Sequence, residues 1–459
     1  MKPFRTIALM LVMTCTFSCD GLLNIEPQQS LDKEDALVTS ENVESTLIGA
    51  YSRMGATELD DAVLYGGPLL YSADLLGGNP DEVRWSGTFF DQREIWHKNI
   101  PVYNSVVRDI WTNAYNVINR VNNVIGALDI VSDGIRDRVE GEAKFIRGLM
   151  YFELVRYFGK AWNDGDPGVN LGVPLVLTPT TLIGGENYIG RNTVDDTYAQ
   201  VLSDLTDARD LLPETNGVLA GSYTASAALS RVYLTQGDYG NAAIEAGRVI
   251  AYAEDPQSGM GLVDNYSDAF SQSSNTIEDI FAIQVSSQDG ANDMQVFFEA
   301  EVDGRGDVDI EQAHLDLYET VDERLNLFYD DDGVYRSGKW SNSTDGNIQV
   351  IRLAEMYLTR AEANYRDGTE IGDTPVNDIN VIRDRVDLPL KGEILSVEEI
   401  LLERKLEMAF EGHFIHDLKR AEGTVDGIPF NADELVFPVP EREMDANPGL
   451  EGQQNPGYN

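Results

Sequence analysis

Residues 224–253 read TASAALSRVYLTQGDYGNAAIEAGRVIAYA, and the fold turns on this stretch. A helix carrying Ala228 and Tyr233 is broken at Gly237-Asp238-Tyr239, and a second helix is expected to begin near Asn241. Small side chains let two helices cross closely, and the glycine turn reverses the chain. The stretch therefore reads as one tetratricopeptide-like helix pair. A second copy starts at residue 351 with IRLAEMYLTRAEANYRDG and continues through another helix to residue 385. Helical periodicity also covers residues 110–128, 136–158 and 194–212. The last two, ended by Gly159 and Pro213, are expected to pair around an insertion. Near the start, Ser40 is the expected cap of a helix with Val43, Leu47, Ile48 and Tyr51 on one face. The expected class is mainly α, with helix pairs stacked as repeats around a shared core and insertions gathered on one face. Residues 66–99, 161–191, 256–307, 329–347 and 421–459 read as long irregular insertions, with a strand near 280–285. Loops of that length on a rigid scaffold are usually functional.

The bulk numbers exclude several function classes. The 459 residues are 42% hydrophobic and 24% charged, enough to bury a large core. The 78 acidic residues outnumber the 34 basic ones, for a formal net charge of −44. Such a surface repels phosphate backbones and anionic lipid, so nucleic acid is excluded as a partner. Both cysteines, Cys15 and Cys19, fall within the first twenty residues, which leaves the body without disulfide or thiol chemistry.

The N-terminus reads as an export signal. Lys2 and Arg5 precede a short apolar run from Ile7 to Phe17, which is followed by Ser18-Cys19. The run is too short to span a bilayer. A small residue before a cysteine at this place resembles the bacterial lipobox. By that resemblance residues 1–18 are a lipoprotein signal peptide, Cys19 is lipidated, and residues 19–30 tether the folded part. Residues 31–459 are expected to form one domain: helical repeats over 31–255, then a loop-rich region with the last helix pair over 256–459. The membrane is engaged through the lipid anchor only.

Toward the C-terminus the motifs become specific. ERKLEMAFEGHFIHDLKR, residues 403–420, is similar to the signature of the SusD/RagB family of nutrient-binding outer-membrane lipoproteins of Bacteroidetes. IRLAEMYLTRAEANYR resembles that family's preceding helix, and FPVPEREMDANPGLEGQQNPGY, residues 437–458, its closing segment. WTNAYNVINRVNNVI and GEAKFIRGLMYFELVRYFG resemble its two early helices. Phe414-Ile415-His416 departs from the pattern, which more often has Arg followed by aromatics. The resemblance implies a mainly α fold of four tetratricopeptide-like helix pairs carrying a loop-rich ligand face. It implies a surface-exposed outer-membrane lipoprotein that captures oligosaccharide or polysaccharide and delivers it to a SusC-like TonB-dependent barrel. Peptide capture, as in the RagB branch, is the alternative.

Signs of catalysis are weak. The chain has no G-x-S-x-G, H-E-x-x-H, GxxxxGK[ST] or C-x-x-C motif. A glycoside hydrolase needs two carboxylates at a set separation, and nothing in the sequence singles out a pair. His413 and His416 read as structural, and Glu403, Arg404, Glu407 and Glu411 as ion pairs that fix the fold. Asn163-Asp164-Gly165-Asp166 and Asp330-Asp331-Asp332-Gly333 read as solvated turns, without the full ligand spacing of a calcium loop. No cofactor, no metal and no enzymatic activity are expected.

A saccharide is held by flat aromatic faces with a few well-placed polar groups around them. Trp111 lies at core spacing and Trp162 reads as loop packing. Trp85, Trp96 and Trp340, in irregular regions, are the expected platform, with Tyr71, Asn79, Asp81, Arg84 and Tyr335 as edge contacts.

Overall fold

A computed structural model describes residues 37–458, apart from 56–62, 181–183, 287, 301–303, 342–345 and 395. Cys15, Cys19 and the tether lie outside the described residues. The repeat is formed by α1 (Ser40–Met54), α4 (Ser105–Gly126), α5 (Arg136–Phe158), α6 (Val194–Leu211), α7 (Ser222–Gln236) and α8 (Tyr239–Ala253), with α11 (Leu353–Asp367) and α12 (Pro375–Arg385). Each of these eight helices packs on the next in that order. They make a continuous stack of four pairs, in which α8 packs on α11 although about a hundred residues of other structure intervene in sequence. Stacking of this kind is how a repeat buries faces that no single pair could cover.

The local reasons are legible. Gly237 adopts φ 73° and closes α7, and Asp238 caps α8 by accepting from the Asn241 amide. The second helix thus starts at Tyr239, two residues before the expected Asn241. Small residues do bring helices together: Gly141 and Gly148 of α5 face Leu212 and Leu205 so closely that a Cβ would approach them within 3.0 Å. The expected pairing of residues 136–158 with 194–212 is the α5–α6 contact.

Two expectations at the first helix are corrected. The cap is Thr39, whose hydroxyl accepts from the Asn42 amide at 3.2 Å, while Ser40 lies inside the helix. The buried face is Val43, Leu47, Ala50, Tyr51 and Met54, and Ile48 is exposed. The stretch 66–99 is also more regular than it reads. It holds α2 (Pro68–Gly77), β1 (Val83–Trp85) and α3 (Phe90–Trp96). Every residue of α2 is buried, so it lacks the one-sided pattern by which a surface helix is recognised.

Between α8 and α11 the chain makes β2 (Asp279–Ile283), α9 (Asp293–Phe298), β3 (Val308–Ile310), α10 (Gln312–Leu315), β4 (Phe328–Asp331), β5 (Val334–Ser337) and β6 (Ile348–Arg352). β2 and β6 pair antiparallel. Asp332 and Gly333, both at positive φ, make the two-residue turn of the β4–β5 hairpin, as their sequence demands. After α12 come α13 (Val397–Glu407), α14 (Phe414–Arg420), the hairpin β7 (Thr424–Val425) and β8 (Ile428–Pro429), and α15 (Glu441–Ala446).

The signature residues of α13 and the following turn hold a buried ion network. Arg352 donates to Glu278 at 2.9 Å, Glu407 at 2.7 Å and Glu411 at 2.7 Å. Arg385 bonds Glu278 and Glu407, Lys339 bonds Glu411 at 2.6 Å, and Arg324 bonds Asp322 and Glu403 at 2.7 Å. His413 and His416 are buried, and desolvation holds both neutral. The closing segment is pinned by Arg191, whose guanidinium donates to the Phe158 carbonyl at the end of α5 and to Asn455.

Candidate ligand-binding face

The insertion after α1 and the insertion after α8 meet in one four-stranded sheet of order β1-β3-β5-β4. β1 runs antiparallel to β3, with Val83 opposite Ile310, Arg84 opposite Asp309 and Trp85 opposite Val308. β3 pairs in turn with β5, where Ile310 faces Tyr335. The two sequence regions expected to share a ligand are thus hydrogen-bonded together, although more than two hundred residues apart in the chain.

Alternation along β1 sorts its side chains. Val83 and Trp85 point inward and Arg84 outward. The Arg84 guanidinium bonds Asp309 at 2.5 Å and Glu311 at 2.8 Å. Asp309 also accepts from Arg336 at 2.6 Å and from the Ser86 hydroxyl at 2.7 Å. This polar ladder ties three strands together on the outer side of the sheet.

The expected tryptophan platform is corrected by this geometry. Trp85 is 3% exposed and meets Phe297 edge-on at 5.0 Å. Trp340 is 6% exposed and donates its indole N–H to the Phe410 carbonyl at 3.0 Å. Trp96 is half-buried and donates to the Val83 carbonyl at 3.0 Å. Tyr71 is buried against Phe297, with Gln92 donating to its hydroxyl. These rings present no open face side by side. Asn79 bonds Glu82 and the Asp426 amide, Asp81 is exposed at the turn before β1, and Tyr335 is half-buried on β5. Of the expected residues, Arg84, Trp85 and Tyr335 share the sheet.

The exposed aromatics here are Phe89, at 43%, on the turn after β1, and Phe90, at 73%, the first residue of α3. Phe89 rests on Phe297 at 6.1 Å. The Arg305 guanidinium lies 4.4 Å over the Phe89 ring, and its Nη2 donates to the Thr88 hydroxyl at 3.3 Å while its Nε donates to Asp307 at 2.7 Å. Arg93 sits 5.7 Å from the Phe90 ring and donates to the Gly87 carbonyl. The buried Trp85–Phe297–Tyr71 cluster is the floor that holds Phe89 up. The result is an apolar surface with planar cations and a hydroxyl at its edge, suited to a flat ligand with C–H faces and hydroxyl rims. The signal was available in the sequence: the doublet Phe89-Phe90 follows a strand whose period-two pattern already turns Trp85 inward.

Comparison with known proteins agrees with the fold. Residues 77–234 match a family model described as starch-binding and associating with the outer membrane, and residues 324–428 match the SusD family model. SusD-like protein P2 of Formosa agariphila is 24% identical over 100% of both chains. The starch-binding protein SusD of Bacteroides thetaiotaomicron is 32% identical over 25% of this chain and 22% of its own length. A solved SusD superfamily structure from Bacteroides thetaiotaomicron superposes with a TM-score of 0.79 at 26% identity, covering 91% of this chain and 100% of that one. The first matched segment carries α4 to α7 of the repeat and the second α11 and α12 with the α13–α14 signature, and the chain belongs to the SusD/RagB family.

Proposed function

We propose that this protein is a cell-surface lipoprotein that captures oligosaccharide or polysaccharide and passes it to a SusC-like TonB-dependent barrel, without catalysis. In this reading residues 1–18 direct export, a lipid on Cys19 anchors the chain, residues 19–30 act as tether and residues 31–459 as one binding domain. Among the described residues no helix is long and apolar enough to cross a membrane, which accords with anchoring by lipid. The observation that carries the reading is the exposed Phe89-Phe90 surface, built where two distant insertions meet and flanked by Arg305 and Arg93. One matching family model is described as starch-binding and one relative is a starch-binding protein, which supports a saccharide as the ligand. Trp85 acts beneath the surface as a buttress and Arg84 at its edge.

Affinity electrophoresis and calorimetry against a polysaccharide panel test the site. Phe89→Ala with Phe90→Ala should weaken binding by about 1–3 kcal/mol, as truncation of a stacking anchor does. Undiminished binding by the double variant sinks this site. Release of reducing ends from a bound glycan would sink the non-catalytic reading.

A further inference from the structure

The end of α5, the turn that follows it, α6, α7 and α14 form a half-open cavity of about 20 Å³, lined by Arg156, Lys160, Trp162, Tyr198, Lys419 and Arg420 among others. It shares Asn163, Thr235 and Arg420 with a neighbouring cleft of about 300 Å³, to which Arg366 contributes. No residue of the aromatic face belongs to either space. In a chain with a net charge of −44, the cations Arg156, Lys160, Lys419, Arg420 and Arg366 converge here, and Glu422 is the carboxylate in the lining.

Four of these cations have counterions. Arg156 pairs with Glu153, Lys160 with Asp164 at 3.1 Å, Arg366 with Glu362 at 2.7 Å, and Arg420 with Glu362 and Asp417. Lys419 differs. It is 5% exposed, its ammonium donates to the Arg156 carbonyl at 3.2 Å, and it forms no ion pair among the described residues. Two further donors, on residues that line the space, are orphaned. Arg156 Nε and Arg420 Nη2 are buried on side chains more than nine-tenths covered, and neither has an acceptor among the described residues. Burying a cation and guanidinium N–H groups without acceptors is costly unless a charged acceptor completes them.

We propose that this cavity is a binding site for a small oxyanion, free or borne as a substituent on a larger ligand lying in the adjoining cleft. Lys419 supplies the unmatched charge, and Arg156 Nε and Arg420 Nη2 supply N–H donors. Trp162, which meets Tyr198 edge-on at 5.1 Å, gives the aromatic wall. Asn163 Oδ1, a buried acceptor without a donor among the described residues, suits a hydroxyl of the larger ligand. The charges acting on the Lys419 ammonium are Arg156 from α5 and Asp164 from the turn; Lys160 and Arg420 line the same space, and Glu153 and Asp417 pair with Arg156 and Arg420. His416 beside them is neutral. Burial and the Arg156 charge press the Lys419 pKa down to about 7, so its charge is available in mildly acidic and neutral solution and lost above.

Full-length protein is titrated with sodium sulfate against sodium chloride at matched ionic strength, by calorimetry and by melting temperature. Sulfate should bind saturably, and Lys419→Met should weaken it by about tenfold or more. In the wild-type protein affinity should also fall by about tenfold or more from pH 6 to pH 9, as the ammonium deprotonates. An equal sulfate response in wild type and K419M, or a wild-type response independent of pH, is the general stabilisation by an excluded salt and overturns the site. If K419M does not fold, the wild-type pH series decides alone. Competition with sulfate by a sulfated oligosaccharide, but not by its desulfated form, assigns the anion as a substituent. Saturable sulfate binding without such competition assigns it as a free ion; either result upholds the site. The Phe89→Ala, Phe90→Ala variant must keep the sulfate response, which separates this site from the glycan face.

Discussion

Replacing Glu407 by glutamine removes one negative charge from a region where four cations meet. Its Oε1 accepts from Arg352 at 2.7 Å and from Arg385, and its Oε2 faces Arg324 at 3.4 Å. Arg352 and Arg324 are among the largest fully buried side chains, so water does not screen the loss. Glutamine keeps the shape and one acceptor, but it turns an N–H₂ group toward a guanidinium. Breaking a buried pair from one side costs about 3–5 kcal/mol. Arg352 retains Glu278 and Glu411, and Arg324 retains Asp322 and Glu403, which places the expected loss near the low end, about 3 kcal/mol. Urea unfolding at pH 7, followed by fluorescence and circular dichroism, measures it. The pH dependence has a definite sign. The surrounding guanidinium groups, led by Arg385, hold the Glu407 carboxyl well below the usual carboxylate range despite its burial. A depressed folded pKa means stability that is present above the unfolded value, about 4.3, and is lost as pH falls below it. The gap between wild type and E407Q should therefore be full at pH 7 and narrow below about pH 4. A loss under about 1 kcal/mol at pH 7, the worth of an exposed pair, would refute the claim that this network holds the fold.

Three further outcomes follow from single positions. Gly77→Ala would place a Cβ 2.2 Å from the Ile415 amide nitrogen and 2.5 Å from the Phe414 carbonyl carbon, both backbone atoms that cannot swing aside. It should cost about 3 kcal/mol or more in urea unfolding, and a loss below about 1 kcal/mol would contradict the close α2–α14 approach. Gly237→Ala would bring a Cβ only into ordinary contact with the Tyr239 side chain, at 3.7 Å, but keeps φ at 73°, so its cost should be the left-handed backbone alone, about 1 kcal/mol. Asp293, at the start of α9, has its carboxyl pushed up to about 7 by burial. A raised acid pKa penalises the fold as pH rises from about 4 to 7, so Asp293→Asn should stabilise at pH 8 and make little difference at pH 3. An effect equal at both pH values would contradict this.

Periodicity resolved the helices that bury one face and failed where burial is uniform. α5 is recovered from Arg136 to Phe158 because Gly159 stops it, and the α7–α8 break because Gly237 must turn left-handed. α2 is buried on every side, so its composition carries no stripe, and it reads as loop. The tryptophans misled for a related reason. Trp85 stands among turn residues and charges, which is the setting of an exposed platform, yet its place on β1 turns it inward onto Phe297. Its neighbours Phe89 and Phe90, ordinary core residues by type, are the ones left in solvent.

The sequence by itself determined the repeat, its turns and the family signature, because glycine conformation, capping and helical spacing are local properties of the chain. Tertiary structure alone decided the rest. Pairing β1 with β3 is a contact across more than two hundred residues, set by which insertions the stacked helices carry to the same place. The same stacking brings the cations of α5 and α14 to one cavity and leaves Lys419 without a counterion among the described residues. Charge counted along the chain is overwhelmingly negative; only packing concentrates the positive remainder where an anion can meet it.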